Sequence, residues 1–434
     1  MHLPARIRSR TRTSRVRAIA AAAPDCGRPF AIAILVLLIA TLVWVGIGRS
    51  ATAPRPWTPT PDQIQDLNSA ANDSTRAAET VKKLRQMLAS DLDANYVTFV
   101  RQLLLRALLV SKAPGPEIIG CADTLSTMIG KDTQTLVLFY GNLAEALIDR
   151  GVELKRAVAY AQKAIDMCPR TEDYQPVRGA CETILGQGQY QLGSYDAAIT
   201  TLEGALGRAP DSTVVLRFLG LSYEKKGRHD QAIDAYVRAL GGFPSSDTAA
   251  AAPLRATYAK RYGSLKGMDE RIQTARKASI KRVALDGHRK EMAAPPWTLP
   301  DLDGNPISLG DFKGKVVVVD FWGSWCGPCR AELPIFQAAY ERYKDKGVAF
   351  VGINWERAET VEGRRSAAKN FADKNKLSFP IVLDHDRVAV TGYNVDAFPS
   401  LYVIDKTGQM RYQNVGFDRA IEAILGAQIE SLME

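Results

Sequence analysis

Four kinds of hydrophobic patterning follow one another along this chain. The first is an unbroken apolar run, Phe30–Gly48, nineteen residues without a charge. As a helix it would span about 28 Å, close to the hydrocarbon core of a bilayer. A stretch rich in Pro, Thr and Ala, Ala51–Pro61, reads as an extended tether. The second pattern, Asp62–Ile129, is helical but irregular, with Leu84, Leu88, Leu92 and Leu103–Leu105 as apolar markers. The third is periodic. Leu185-Gly186, Gly193, Ala198, Ala205 and Pro210 recur thirty-four residues on as Leu219-Gly220, Gly227, Ala232, Ala239 and Pro244. A looser copy precedes them at Leu143-Ala144, Gly151, Ala157, Ala164 and Pro169. The fourth pattern is mixed. Short β-branched runs at Val316–Phe321, Val348–Ile353 and Leu401–Ile404 predict buried strands. Between the first two runs, Leu333, Phe336, Ala339 and Tyr340 recur at helical spacing.

The chain is therefore multidomain: an N-terminal transmembrane helix, an all-α repeat region, and a C-terminal α/β domain. The boundaries predicted are 1–29 for a basic tail, 30–48 for the anchor and 49–61 for the tether. Residues 62–252 form the helical region, with repeats over about 136–244. Residues 253–293 form a solvated connecting helix carrying Lys260, Arg261, Arg271, Lys277, Lys281 and Arg282, and residues 294–434 form the last domain. At 434 residues, two or three domains are expected. In the repeats, Gly and Ala let paired helices approach closely, and Pro ends the second helix.

Charge sharpens the topology. The chain carries +9 overall, and residues 1–28 hold seven Arg against one Asp. The basic character is thus concentrated before the apolar run, which points away from nucleic-acid binding. It predicts a cytoplasmic N-terminus, with everything after Arg49 on the periplasmic, extracytoplasmic side of the inner membrane. Ala51-Thr52-Ala53 looks like a cleavage box, but Pro54 follows at once and is expected to block cleavage, so the anchor is predicted to stay.

The chemistry is carried by Trp325-Cys326-Gly327-Pro328-Cys329, directly after Val316–Phe321. Two cysteines separated by two residues can open and close a disulfide within one helical turn. The strand-to-helix junction puts Cys326 at a helix N-terminus, where unpaired N–H groups and the dipole stabilise a thiolate. A free thiol has a pKa of about 8.5, and such a setting typically lowers it toward about 7. Pro328 is tolerated, because first-turn N–H groups have no intrahelical partner. A zinc site needs four ligands, and no second Cys-x-x-Cys or His pair is present, so no metal is expected. No cofactor is expected either.

Phe321–Pro334, with Trp325-Cys326-Gly327-Pro328-Cys329-Arg330-Ala331-Glu332-Leu333-Pro334 at its centre, resembles the thioredoxin superfamily and its TlpA-like, membrane-anchored branch. The resemblance covers about Ala294–Glu434. It implies a thioredoxin fold and thiol:disulfide oxidoreductase activity. Cys326 is then the exposed attacking thiol, and Cys329 the buried thiol that resolves the mixed disulfide. Trp325, Gly327 and Pro328 border the substrate. Pro399 in Ala397-Phe398-Pro399-Ser400 matches the family's cis-proline facing the active site. Phe398 stands where the branch usually has a small β-branched residue, which predicts a more apolar substrate groove. Asp320, six residues before Cys326, matches the buried Asp of cytosolic thioredoxins. A carboxyl in an apolar strand has a raised pKa and can take the Cys329 proton, the alternative being a strand-end Asp that faces solvent. Glu356, in Asn354-Trp355-Glu356, is an acid/base candidate against a surface-loop alternative. The thirty-four-residue period resembles the tetratricopeptide repeat, which implies a peptide- or protein-binding surface.

The other cysteines are assigned by place. Cys26 lies on the cytoplasmic side and should stay reduced. Cys168 and Cys181 bracket an insertion between repeats and are the expected structural disulfide, with Cys121 a competitor for either. His385, in Asp384-His385-Asp386, reads as a surface turn residue. The expected activity is reduction of disulfides in partner proteins, with electrons supplied by a membrane donor because no nucleotide-binding Gly motif is present. A dithiol oxidase or isomerase, and an adaptor acting through the repeats, remain alternatives. The cytochrome c maturation role known in the branch is compatible with these residues but not required by them.

Overall fold

The structure, a computed structural model, describes residues 57–434. The basic tail, Cys26 and the run Phe30–Gly48 lie outside the described residues. Among the described residues no helix is long and apolar enough to cross a membrane. The chain divides into two compact units. One holds the described residues up to Leu240 together with Asp247–Met268, and the other holds Gly241–Ser246 together with Asp269–Glu434.

The first unit is helical. Helices α1 (Pro61–Ala71), α2 (Ala77–Ala89), α3 (Ala94–Val110) and α4 (Gly115–Ile129) form its irregular beginning. A capping box starts α1: the Thr60 hydroxyl accepts from the Gln63 N–H, and the Gln63 side chain accepts from the Thr60 N–H. Three helical pairs follow, α5 (Thr133–Arg150) with α6 (Leu154–Met167), α7 (Gln175–Gln191) with α8 (Tyr195–Arg208), and α9 (Thr213–Lys225) with α10 (His229–Leu240). The unit closes on α11 (Ala251–Tyr262). Close approach within the pairs explains the repeated glycine. A Cβ at Gly186 would strike the Leu202 side chain, and one at Gly220 the ring of Tyr236.

The expected Cys168–Cys181 bridge is not formed, and both residues and Cys121 are free thiols. Cys168 ends α6 and points its thiol at the Tyr174 carbonyl, 3.8 Å away. Cys181 sits inside α7, in the apolar core and close against Gly141. The Cys168 sulfur is thus turned to the Tyr174 carbonyl, and that of Cys181 is packed in the core. Burial pushes the Cys181 thiol up to about 12 and Cys121 up to about 11, and raises Cys168 as well.

The second unit is α/β. It runs α12 (Met268–Asp286), β1 (Arg289–Ala293), β2 (Thr298–Pro300), β3 (Pro306–Ser308), β4 (Val316–Trp322), α13 (Gly327–Tyr343), β5 (Val348–Asn354) and α14 (Val361–Asn375). There follow β6 (Ile381–Leu383), α15 (Val388–Gly392), β7 (Ser400–Ile404), β8 (Gln409–Val415) and α16 (Ile421–Met433). Six strands form one sheet in the order β1-β8-β7-β4-β5-β6, and β2 pairs only with β3. Strand β5 runs parallel to β4 and β6, whereas β7 is antiparallel to β4 and β8.

Every residue of β4 is buried, so its valines serve two faces. Val316, Val318 and Trp322 join Leu333 and Phe336 of α13 in one core. Val317, Val319 and Phe321 join Tyr393 and Tyr402 in the other. This alternation puts Asp320 on the face covered by α13.

The α/β unit begins earlier than residue 294. Strand β1 pairs with β8, and Ile280, Val283 and Ala284 of α12 pack with Ile421 and Ile424. The Gln428 side chain donates to the Ala284 carbonyl (3.0 Å) while accepting from the Asn414 side chain (3.0 Å). The stretch 253–293 is therefore divided between the units rather than forming one solvated connector.

Candidate redox-active site

Cys326 and Cys329 are joined as a disulfide at the start of α13, with their Cα atoms 5.3 Å apart. Cys326 is the N-cap, Gly327 and Pro328 fill the first turn, and the Cys329 N–H donates to the Cys326 sulfur (3.1 Å). The sulfur thus takes the place that a Ser or Asp oxygen usually occupies at a helix start. A negative charge there would accept from the Cys329 N–H and face the positive end of the helix dipole. Pro334 lies inside α13, as the motif predicts.

Burial differs from expectation at Cys326. Cys329 is 0% exposed, but Cys326, expected to be exposed, is only 4% exposed. It packs in the core with Cys329 and Leu333, against which Trp325 and Phe398 also lie. The aromatic side chains form a wall. Trp325 meets Trp355 and Phe398 edge-on, at centroid separations of 5.6 and 5.5 Å, and Trp355 stacks on Phe398 at 6.0 Å. Gly323 permits this arrangement, because a Cβ there would lie 2.7 Å from the Trp355 carbonyl. That carbonyl accepts from the Trp325 indole N–H (3.0 Å). The Phe398–Pro399 bond is cis, and Pro399 is buried at the entry to β7.

Beneath α13 lies a pair of carboxyls. Asp320 is wholly buried, and neither of its oxygens has a hydrogen-bond partner within the protein. Glu332, one turn after Cys329, is also buried, with its Oε1 unpartnered. Desolvation raises the Asp320 carboxyl well above its ordinary value, and repulsion from Glu332 adds to this. Desolvation pushes Glu332 up to about 7. Burial thus opposes ionisation of both carboxyls.

Glu356 is neither a surface residue nor a free acid. It is buried, and both oxygens are engaged. Its Oε1 accepts from the Ser324 N–H (2.7 Å) and the Asn354 amide (2.9 Å), and its Oε2 from the Ser324 hydroxyl (2.8 Å). Its role is to clamp the loop that delivers Trp325 and Cys326. Sequence reasoning did not single out Glu332, Ser324, Asn354, Trp355 or Gly323. His385 is half-buried rather than a plain surface turn residue, and its pKa is lowered by burial and by Arg364. Among the described residues no group of three His, Cys, Asp or Glu is placed to hold a metal ion.

The fold and the helix-capping dithiol define a thioredoxin-like redox domain. Residues 291–413 match the AhpC/TSA family, and residues 185–247 match the tetratricopeptide repeat. The thiol-disulfide oxidoreductase ResA of Bacillus cereus is 34% identical over 141 residues, covering 32% of this chain and 72% of that protein. The thioredoxin-like protein YneN of Bacillus subtilis is 38% identical over 130 residues, covering 30% and 74%. Among solved structures, StoA from Bacillus subtilis is 28% identical, covering 31% of this chain and 98% of that one, with a TM-score of 0.27. The chain belongs, through its C-terminal unit, to the thioredoxin-like thiol-disulfide oxidoreductases. It adds helical tetratricopeptide repeats to that domain.

Proposed function

We propose that this protein is a membrane-anchored, extracytoplasmic reductase of protein disulfides, working through Cys326 and Cys329. The observation that carries the chemistry is the Cys326 sulfur capping α13, bonded to Cys329 and followed one turn later by Glu332. In the reduced protein the Cys326 thiolate attacks one sulfur of a substrate disulfide. A mixed disulfide forms, and the first substrate thiolate leaves. The Cys329 thiol then loses its proton to the Asp320–Glu332 pair and attacks the Cys326 sulfur. The second substrate thiolate leaves, and the Cys326–Cys329 disulfide remains. Two electrons have passed to the substrate, which takes up two protons. Trp325, Gly327, Pro328, Phe398 and Pro399 border the approach to the sulfur.

The anchor rests on Phe30–Gly48 and the Arg-rich residues before it. The electron donor is then a membrane dithiol protein, and the repeats bind a peptide or protein partner. The Gly-Pro pair between the cysteines is that of thioredoxin, whose potential is about −270 mV, and this favours reduction over oxidation.

Replacing Cys329 with Ser tests the reading. The variant should accumulate Cys326-linked mixed disulfides with extracytoplasmic proteins, which a further Cys326→Ser change abolishes. A Cys326–Cys329 potential near about −120 mV, typical of a strong dithiol oxidant, would overturn the reductase direction.

A further inference from the structure

Beside the active-site loop lies a cleft of about 390 Å³ that thiol–disulfide exchange leaves unused. Trp355 forms part of its wall, and the same residue holds Trp325 through its carbonyl and stacks on Phe398. The cleft therefore adjoins the aromatic border of Cys326. Three arginines line it, with His385 beside them and the carboxylates of Glu356 and Asp386.

Their commitments differ. The Glu356 carboxylate is taken up by Ser324 and Asn354. Arg364 donates to the carbonyls of Ala358 (2.7 Å), His385 (2.8 Å) and Glu359 (3.4 Å). Arg357 and Arg387 are exposed, and neither forms an ion pair among the described residues. Each instead lies near an indole, Arg357 3.7 Å from the centroid of Trp325 and Arg387 5.1 Å from that of Trp355. Two guanidiniums without an ion pair thus share the cleft with one exposed carboxylate, Asp386. A guanidinium presents its donors in the fork that a carboxylate accepts, and stacking on an aromatic face leaves its edge free to do so.

We propose that this cleft receives an Asp or Glu side chain flanking the cysteine of the protein substrate. The proposal rests on the oxidoreductase reading, in which the bound partner is a polypeptide. Side-chain carboxylates are the anions such a partner carries within reach of its disulfide. A cleft of this size suits one or two side chains rather than a folded element.

Two measurements on the full chain decide the matter. Oxidised protein is titrated with peptides in which Ser replaces the cysteine and either Glu or Gln flanks it, followed by tryptophan fluorescence. Reduced protein is then mixed with the matching disulfide-linked peptides, and thiol release is timed. The Glu peptide should bind about tenfold more tightly and react correspondingly faster, the effect of two partly exposed charge pairs acting together. The ratio should fall to about one in the Arg357→Gln/Arg387→Gln protein and recover in part in the Arg357→Lys/Arg387→Lys protein. Equal affinities for the two peptides overturn the proposal, as does a preference that survives the double Gln change. A binding preference with no matching rate preference overturns the substrate assignment. Absence of thiol release from both peptides refutes the oxidoreductase reading instead, while the affinities still decide the cleft.

Discussion

Replacing Glu332 with Gln should flatten the pH dependence of stability of the α/β unit. Glu332 is buried beneath the helix that carries the dithiol, and desolvation raises its carboxyl from an ordinary 4.5 to about 7. Between those values the folded protein keeps a proton that the unfolded chain has released. Stability therefore falls as pH rises through this window and levels off, for this group, above about 7. At about 1.4 kcal/mol per pH unit, the fall attributable to Glu332 is about 3 kcal/mol. Burial and repulsion from Glu332 raise the Asp320 carboxyl well above its ordinary value too. Urea unfolding at pH 5 and pH 8, followed by tryptophan fluorescence, reports chiefly on this unit, since Trp297, Trp322, Trp325 and Trp355 all lie in it. The wild type should lose about 3 kcal/mol more than the Gln variant between the two pH values. The absolute stability of the variant is a poorer guide, because a buried amide without partners costs about 1–3 kcal/mol at every pH. Glu332→Gln should also lower the Asp320 titration by removing a repelling charge. Identical pH slopes in wild type and Glu332→Gln would refute the burial argument and remove the proposed proton acceptor.

Glu356→Gln should destabilise the same unit by about 1–3 kcal/mol, because one amide oxygen cannot accept the Ser324 N–H, the Ser324 hydroxyl and the Asn354 amide together. An unchanged urea midpoint would show that the clamp on the active-site loop is dispensable. In the repeat unit, Gly220→Ala should cost about 1–3 kcal/mol, since its Cβ enters the ring of Tyr236 and that ring is tied to Glu224 by a 2.9 Å hydrogen bond. Gly207→Ala in α8 meets no atom and should instead stabilise by about 0.5–1 kcal/mol. Thermal melts followed by far-ultraviolet circular dichroism measure both changes, and equal shifts would discard close helix approach as the reason for the repeated glycine.

Much of the fold was legible because different elements agreed. The thirty-four-residue spacing located two helix pairs and its looser copy the third, and the β-branched runs located β4, β5 and β7. The uniform apolar run of β4 concealed its alternation. Only the position of α13 over Val316, Val318 and Trp322 shows which face Asp320 occupies. Glu332 stands three residues after Cys329 and four before Phe336, both core residues. That spacing was the available signal. The basic residues of 269–286 drew attention from the stripe Ile280, Val283 and Ala284, which packs α12 into the second unit. The Cys168–Cys181 expectation failed because separation along the chain says nothing of where a helix end and a helix interior point their sulfurs.

The Glu356 clamp was recoverable from register. Strands β4 and β5 are parallel and pair Val316 with Val348 through Trp322 with Asn354, a constant offset of thirty-two residues. Carried two residues past the strand ends, the same offset brings Ser324 to Glu356, where the hydrogen bonds form. The active-site loop thus continues the strand register, and the carboxylate replaces the ladder once β5 has ended. A buried carboxylate at that point satisfies the Ser324 N–H, which otherwise would have no partner at the start of the loop. The Ser324 hydroxyl and the Asn354 amide complete its shell, so its burial is compensated where that of Asp320 is not. Two buried acids of one site therefore do different work. Glu356, fully hydrogen-bonded, positions the dithiol, and Asp320, without a hydrogen-bond partner and raised by Glu332, is the group proposed to take a proton.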